Sequence, residues 1–161
     1  QDLYLEDIVR GGPDAVARLR RTLGRTSGAA FSGAELLRRL DHYMVENHQI
    51  VAPAGDALLA GDLSSFGRLV DRSQELTETL LGNQVPQTVC LARQAREHGA
   101  HAASAFGAGF GGSVWALVDA EQAPTFLQQW SAAYAGAHPD AARQARFFTT
   151  QAGPAAFALE M

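Results

Sequence analysis

Residues 107–113 read Gly107-Ala108-Gly109-Phe110-Gly111-Gly112-Ser113, four glycines in six positions followed by a hydroxyl. A backbone this rich in glycine can take positive φ at several successive positions and approach another group closely. The runs on either side favour strand. Residues 101–106 precede the loop, and residues 113–118 follow it with Val114, Trp115, Ala116, Leu117 and Val118. Two short strands joined by a glycine loop are therefore expected, and the rest of the chain has to pack around them.

Upstream of that hairpin the period is helical. Pro13 suits a helix start and Gly24 a stop, with Val16, Leu19 and Leu23 between them, and a Gly/Ser/Ala-rich loop covers about residues 24–33. Leu37, Leu40, Met44, Val51, Ala54 and Leu58 then recur in steps of three and four, with Asn47 in the one polar slot, which predicts a long amphipathic helix ending near Gly61. Asp62 suits an N-cap. Phe66, Leu69, Val70, Ser73, Leu76 and Leu80 line a second helix that stops at Gly82, and the two are expected to form a hairpin. Pro86 and Gly99 bracket a third helix containing Val89, Cys90 and Leu91. After the strand pair, residues 122–135 return to helical spacing through Phe126, Leu127, Trp130 and Tyr134. Residues 146–150 and 155–159 read as further strands around the turn signal Gly153-Pro154. Helices first, then strand, strand, helix, strand, strand describe an α+β domain. We read one domain over residues 1–161, helical over about 1–99 and sheet-containing over about 100–161.

The composition fits a packed core, with 161 residues, 47% hydrophobic and 19% charged. A formal charge of −4 and dispersed arginines offer no stripe to neutralise phosphates, so nucleic acid is not an expected partner. No apolar run approaches the ~20 residues that span a bilayer, and no signal-peptide pattern opens the chain, so no membrane is expected and a cytoplasmic location is. Cys90 is the single cysteine and reads as a small buried hydrophobe.

Other chemistries find little support. Gly107, Gly109 and Gly112 satisfy G-x-G-x-x-G, but a dinucleotide fold needs a helix directly after the loop, and here a strand begins at Ser113. Pattern alone leaves a ligand-free glycine turn equally open. Ser113 lacks a G-x-S-x-G elbow. His42 and His48 fall on different helix faces and complete no H-E-x-x-H with Glu46, so no metal site is assigned. His98 and His101 flank a helix end, where capping is expected. Trp115, Trp130 and Tyr134 follow the core periodicity, and Arg18, Arg20, Arg21 and Arg25 a solvated face.

Read together, the motifs resemble one family. Ala105-Phe106-Gly107-Ala108-Gly109-Phe110-Gly111-Gly112-Ser113 and its hydrophobic strand look like the third motif of GHMP kinases in its galactokinase form, M-T-G-A-G-F-G-G-C. Arg38-Arg39-Leu40-Asp41-His42 with Glu46-Asn47 resembles the segment in which a basic pair precedes H-x-x-x-E-N. Ala60-Gly61-Asp62-Leu63-Ser64-Ser65-Phe66-Gly67 is similar to A-G-D-L-x-x-F-G, and Phe147-Phe148-Thr149-Thr150 with Gly153 to the closing strand and turn. The order agrees over roughly residues 36–160.

The resemblance implies a kinase that transfers the γ-phosphoryl group of ATP, with magnesium, to the anomeric hydroxyl of a sugar in a cleft between two domains. It implies a C-terminal domain in which helices pack on a ferredoxin-like antiparallel sheet. It also implies a nucleotide and substrate cleft role for the loop of Gly107, Ala108, Gly109, Phe110, Gly111, Gly112 and Ser113, whose backbone N–H groups suit anionic oxygens. The family's phosphate loop, P-x-x-x-G-L-S-S-S-A, is absent; Leu63-Ser64-Ser65 follows Asp62 at a helix start. In this family the catalytic aspartate, the magnesium ligands and most sugar contacts belong to the N-terminal half, so no catalytic or metal residue is assigned here. The expected partner is that half. The chain alone is expected to be inactive, and to self-associate through an exposed interdomain face. Three departures stand out: Phe106 in place of threonine, Ser113 in place of cysteine, and Asn83-Gln84-Val85-Pro86-Gln87 in place of C-P-E-L-D. A non-catalytic sugar-sensing or interaction module, or a GHMP kinase for another small alcohol, are the alternatives.

Overall fold

The structure is a computed structural model that describes residues 4–28 and 30–153. Its helices are α1 (Leu5–Arg10), α2 (Pro13–Gly24), α3 (Gly33–Val45), α4 (Val51–Leu59), α5 (Leu63–Leu76), α6 (Pro86–Glu97), α7 (Ala123–Ala137) and α8 (Pro139–Ala142). The strands β1 (Ala102–Phe106) and β2 (Ser113–Leu117) pair antiparallel, from Ala102 opposite Leu117 to Phe106 opposite Ser113. The α+β class holds, as helices around a two-stranded antiparallel sheet.

The helix limits follow from local chemistry. Pro13 opens α2, where its missing N–H costs nothing. Ser32 caps α3 by accepting from the Glu35 N–H, while the Glu35 carboxylate accepts from the Ser32 N–H at 2.7 Å. Asp62 caps α5, taking the Ser65 N–H at 2.9 Å. Gly82, at φ 62°, ends the following turn in the left-handed region.

One expectation fails midway along the long helix. A π-helical turn, Glu46–Ile50, joins α3 to α4, and its wider winding breaks the 3.6-residue phase. Ile50 is buried, while Val51 and Leu58, expected on the inner face, are 55% and 51% exposed. A second π turn, Thr77–Leu81, extends α5. The two helices form the expected hairpin, tied at the first π turn where the Ser73 hydroxyl donates to Glu46 at 3.0 Å and Arg72 reaches Gln49 at 2.9 Å.

The core lies between the sheet, α6 and α7. Ala95, Ala100, Ala103, Phe126 and Trp130 form it, with Leu91, Val114, Ala116, Val118 and Phe147 packed against it. Burying a large apolar side chain contributes roughly 1.5–3 kcal/mol, so Phe126 and Trp130 dominate this cluster. The Trp130 indole N–H donates to the Leu91 carbonyl at 3.0 Å, leaving no polar cost.

Among the described residues, the strand expected at 146–150 finds no sheet partner, and Phe147 stacks edge-on against Trp130 at 5.1 Å. Of its β-favouring residues only Phe147 packs against the core, while Phe148, Thr149 and Thr150 are exposed. The strand expected at 155–159 lies outside the described residues.

Candidate functional site

The base of the hairpin is clasped by α5 and α6. Gly67 presses so closely on β1 that a Cβ there would drive into the His101 carbonyl oxygen, with Arg96 Nη2 at 3.1 Å. Gln74, 7% exposed, turns its Oε1 to the Ser104 hydroxyl and the Ala105 N–H, both at 2.9 Å, and its Nε2 to Glu78 at 3.0 Å. Arg96 holds both Asp71 oxygens, at 2.8 and 3.0 Å, and donates to the Ala100 and His101 carbonyls. These groups fix where the hairpin starts, and so where its tip stands.

At the tip the backbone takes positive φ at Gly107 (87°), Gly109 (83°), Phe110 (60°), Gly111 (110°) and Gly112 (107°). Phe110 is the one non-glycine residue in that region among the described residues. Its ring is 73% exposed, and Phe106 at the end of β1 is 57% exposed. The loop is seated on Asn83: the Phe110 N–H donates to the Asn83 carbonyl, and Asn83 Nδ2 donates to the Ala108 carbonyl at 3.1 Å. Among the described residues, the N–H groups of Ala108, Gly109, Gly111 and Gly112 reach no acceptor. Unengaged backbone amides at an exposed loop are free to donate to the anionic oxygens of a ligand. The seven expected site residues are thus contiguous at one exposed tip, with Ser113 exposed where β2 begins.

The remaining candidates disperse. His42 lies 4.0 Å from Glu46, while His48 lies 3.6 Å from Glu6, on a separate cluster. The His101 imidazole faces Asp119 at 3.2 Å instead of capping carbonyls, and His98 is the C-cap residue that follows α6. Trp130 and Tyr134 are buried, Trp115 is half-buried near Phe66, and Arg20 pairs with Asp41. Cys90 is buried. No three His, Cys, Asp or Glu side chains gather as a metal site among the described residues. No described helix is long and apolar enough to cross a membrane.

Electrostatic perturbation lies away from the loop. A hydrogen bond from Tyr43 holds the Glu6 carboxyl below its ordinary range, and the same bond pushes the Tyr43 phenol up. The Ser32 and Ser65 hydroxyls likewise lower Glu35 and Asp62, and burial raises Tyr134. Asn83, Gln84 and Thr88 escaped the sequence reading as site residues. Their signal was the polar pair standing directly between a helix-stopping glycine and a helix-starting proline.

Comparison with known proteins closes the case for the family. The family described as GHMP kinases C terminal matches residues 56–136. A galactokinase of Chloroflexus aggregans is 33% identical over 102 residues, which are 63% of this chain and 26% of that protein. A Lactococcus lactis galactokinase, solved in complex with galactose, superposes with a TM-score of 0.63 at 23% identity, over 85% of this chain and 40% of its own. The chain therefore spans well under half the length of these relatives. Matched over half its length by that family, the chain belongs to the GHMP kinases through their C-terminal domain, and it is similar to the galactokinases named above.

Proposed function

We propose that this chain is the C-terminal domain of a sugar kinase that transfers the ATP γ-phosphoryl group to an anomeric hydroxyl, and that its glycine loop faces the nucleotide and substrate cleft. The observation that carries the loop's role is the run of unengaged amides at Ala108, Gly109, Gly111 and Gly112. Phosphoryl transfer depends on positioning and on stabilising charge over phosphate oxygens, and backbone donors hold anionic oxygens without a bulky side chain. Galactose is the favoured acceptor because both named relatives are galactokinases.

ATP fits this loop through its phosphates. The phosphate loop, the acidic catalytic residue and the metal ligands are assigned to an N-terminal half, and the 161-residue chain by itself is expected to have no galactokinase activity. Isothermal titration calorimetry with magnesium-ATP and, separately, with galactose tests the reading. Nucleotide binding without turnover supports it. Galactose binding with no response to nucleotide would favour a sugar-sensing module instead, and phosphorylation of galactose by this chain alone would sink the division of labour between halves.

A further inference from the structure

We propose that Asn83 is the positioning residue of the glycine loop, its orientation relayed from the first turn of α6 by Gln84 and Thr88. The inference rests on the loop's cleft role for its consequence, though not for its geometry.

The loop has positive φ at five of six successive residues and makes no hydrogen bond within itself among the described residues. Its described anchors come from one residue 25 positions upstream. The Asn83 carbonyl takes the Phe110 N–H, and the Asn83 amide donates to the Ala108 carbonyl. Between those two bonds sits Gly109, where an added Cβ would meet the Asn83 carbonyl oxygen, with Nδ2 at 2.6 Å and Cγ at 2.7 Å. Gly109 is thus glycine because Asn83 occupies its side-chain space. At Gly107 and Gly112 nothing lies within 4 Å of that position, so those two are open on the side where a ligand would come.

Asn83 is itself oriented. Its Oδ1 accepts from Gln84 Nε2 at 3.2 Å, the Gln84 Oε1 and the Val85 carbonyl share the single Thr88 hydroxyl proton at 2.9 and 3.0 Å, and that hydroxyl oxygen takes the Val85 N–H at 3.3 Å. Thr88 is buried at 3% exposure in the first turn of α6. The chain of bonds fixes which way the Asn83 amide points: Oδ1 to Gln84, Nδ2 to the loop. An aspartate could satisfy the first contact only as an acceptor and the second not at all. The loop's amides are therefore aimed by a side chain that need not touch the ligand.

The test uses the 15N-labelled chain, read by amide hydrogen exchange and by chemical shift during titration with magnesium-ATP. Asn83→Asp keeps the main-chain carbonyl that takes the Phe110 N–H but loses the Nδ2 bond to the Ala108 carbonyl, so the loop is expected to open more often, with Phe110 exchange about tenfold faster and magnesium-ATP weakened by a similar factor, the size expected for one lost hydrogen bond. The Ala105 amide, held by Gln74 at the hairpin base, should exchange as before. Gln84→Glu, which touches no loop atom, should reproduce the loosening, because a carboxylate cannot donate to Oδ1. Unchanged Phe110 exchange in both variants would overturn the proposal, as would equal acceleration at Ala105, which marks general destabilisation. If the unaltered chain shows no loop shifts with magnesium-ATP while Asn83→Asp still speeds Phe110 exchange, positioning stands and the nucleotide reading of the loop falls.

Discussion

The two ends of the β1–β2 hairpin are held in opposite ways. At the base, a glycine in contact with a carbonyl, a buried glutamine and a charged arginine grip the backbone from two helices. At the tip, one asparagine grips a loop that is otherwise exposed. The base has a single arrangement because moving it would leave buried donors and acceptors unpaired, which costs about 1–3 kcal/mol for each. The tip loses little by opening, and segments of that kind are where ligand-binding motion is usually found. A rigid base with a lightly held tip suits a loop that has to meet a ligand without taking the domain with it.

The largest expected effect breaks the base. Gly67→Ala places a methyl group against the His101 carbonyl, a backbone atom that cannot step aside, and should destabilise the domain by about 3 kcal/mol or more in urea unfolding. A loss below ~0.5 kcal/mol would show that α5 and β1 are not in the contact described. Gln74→Leu comes next. It keeps the volume roughly but strips the acceptor from the Ala105 N–H and the Ser104 hydroxyl, for an expected loss of about 1–3 kcal/mol.

At the tip the prediction reverses. Phe110→Ala removes a ring that is 73% exposed, so stability should change by under ~0.5 kcal/mol. If the exposed rings of Phe106 and Phe110 belong to a cleft or interdomain face, the same variant should reduce self-association, read by sedimentation velocity at high concentration. A Phe110 variant as destabilised as the Gln74 variant would end the distinction between the two ends.

How far this contrast could be read from sequence depends on the range of the interactions. Helix limits at Pro13, Asp62, Gly82, Pro86 and Gly99 were legible because caps are local. The strand pair was legible because a β-favouring run beside a glycine loop is local too. The phase error at Val51 and Leu58 arose because nothing in the apolar pattern marks the π turn at Glu46–Ile50. The segment 146–150, without a sheet partner among the described residues, shows the limit of β propensity, which describes fit to a pleated surface and supplies no partner. The loop's importance was visible in its glycines, but its seat was not. Asn83 and Ala108 are 25 residues apart and Gln74 and Ala105 are 31, and no local rule joins them.

The smallest effect sharpens the comparison through pH. Asp62 caps α5, the helix that carries Gly67 and Gln74 to the base, and the Ser65 hydroxyl and N–H hold its carboxyl below the ordinary aspartate value of 3.8. A carboxyl whose folded pKa is depressed stabilises the fold fully above its unfolded pKa, and that contribution fades as pH falls through the lower, folded value. Stability should therefore decline below about pH 4 through this cap. Asp62→Asn keeps an acceptor for the Ser65 N–H, so stability near neutrality should change little, but the carboxyl's share of the acid decline should vanish. The effect should reach the Ala105 amide through α5 and leave Phe110 exchange, corrected for its intrinsic pH dependence, unmoved. Were Phe110 to follow Ala105 in acid, the tip would be coupled to the base, and its light tether to Asn83 would not be what sets its opening.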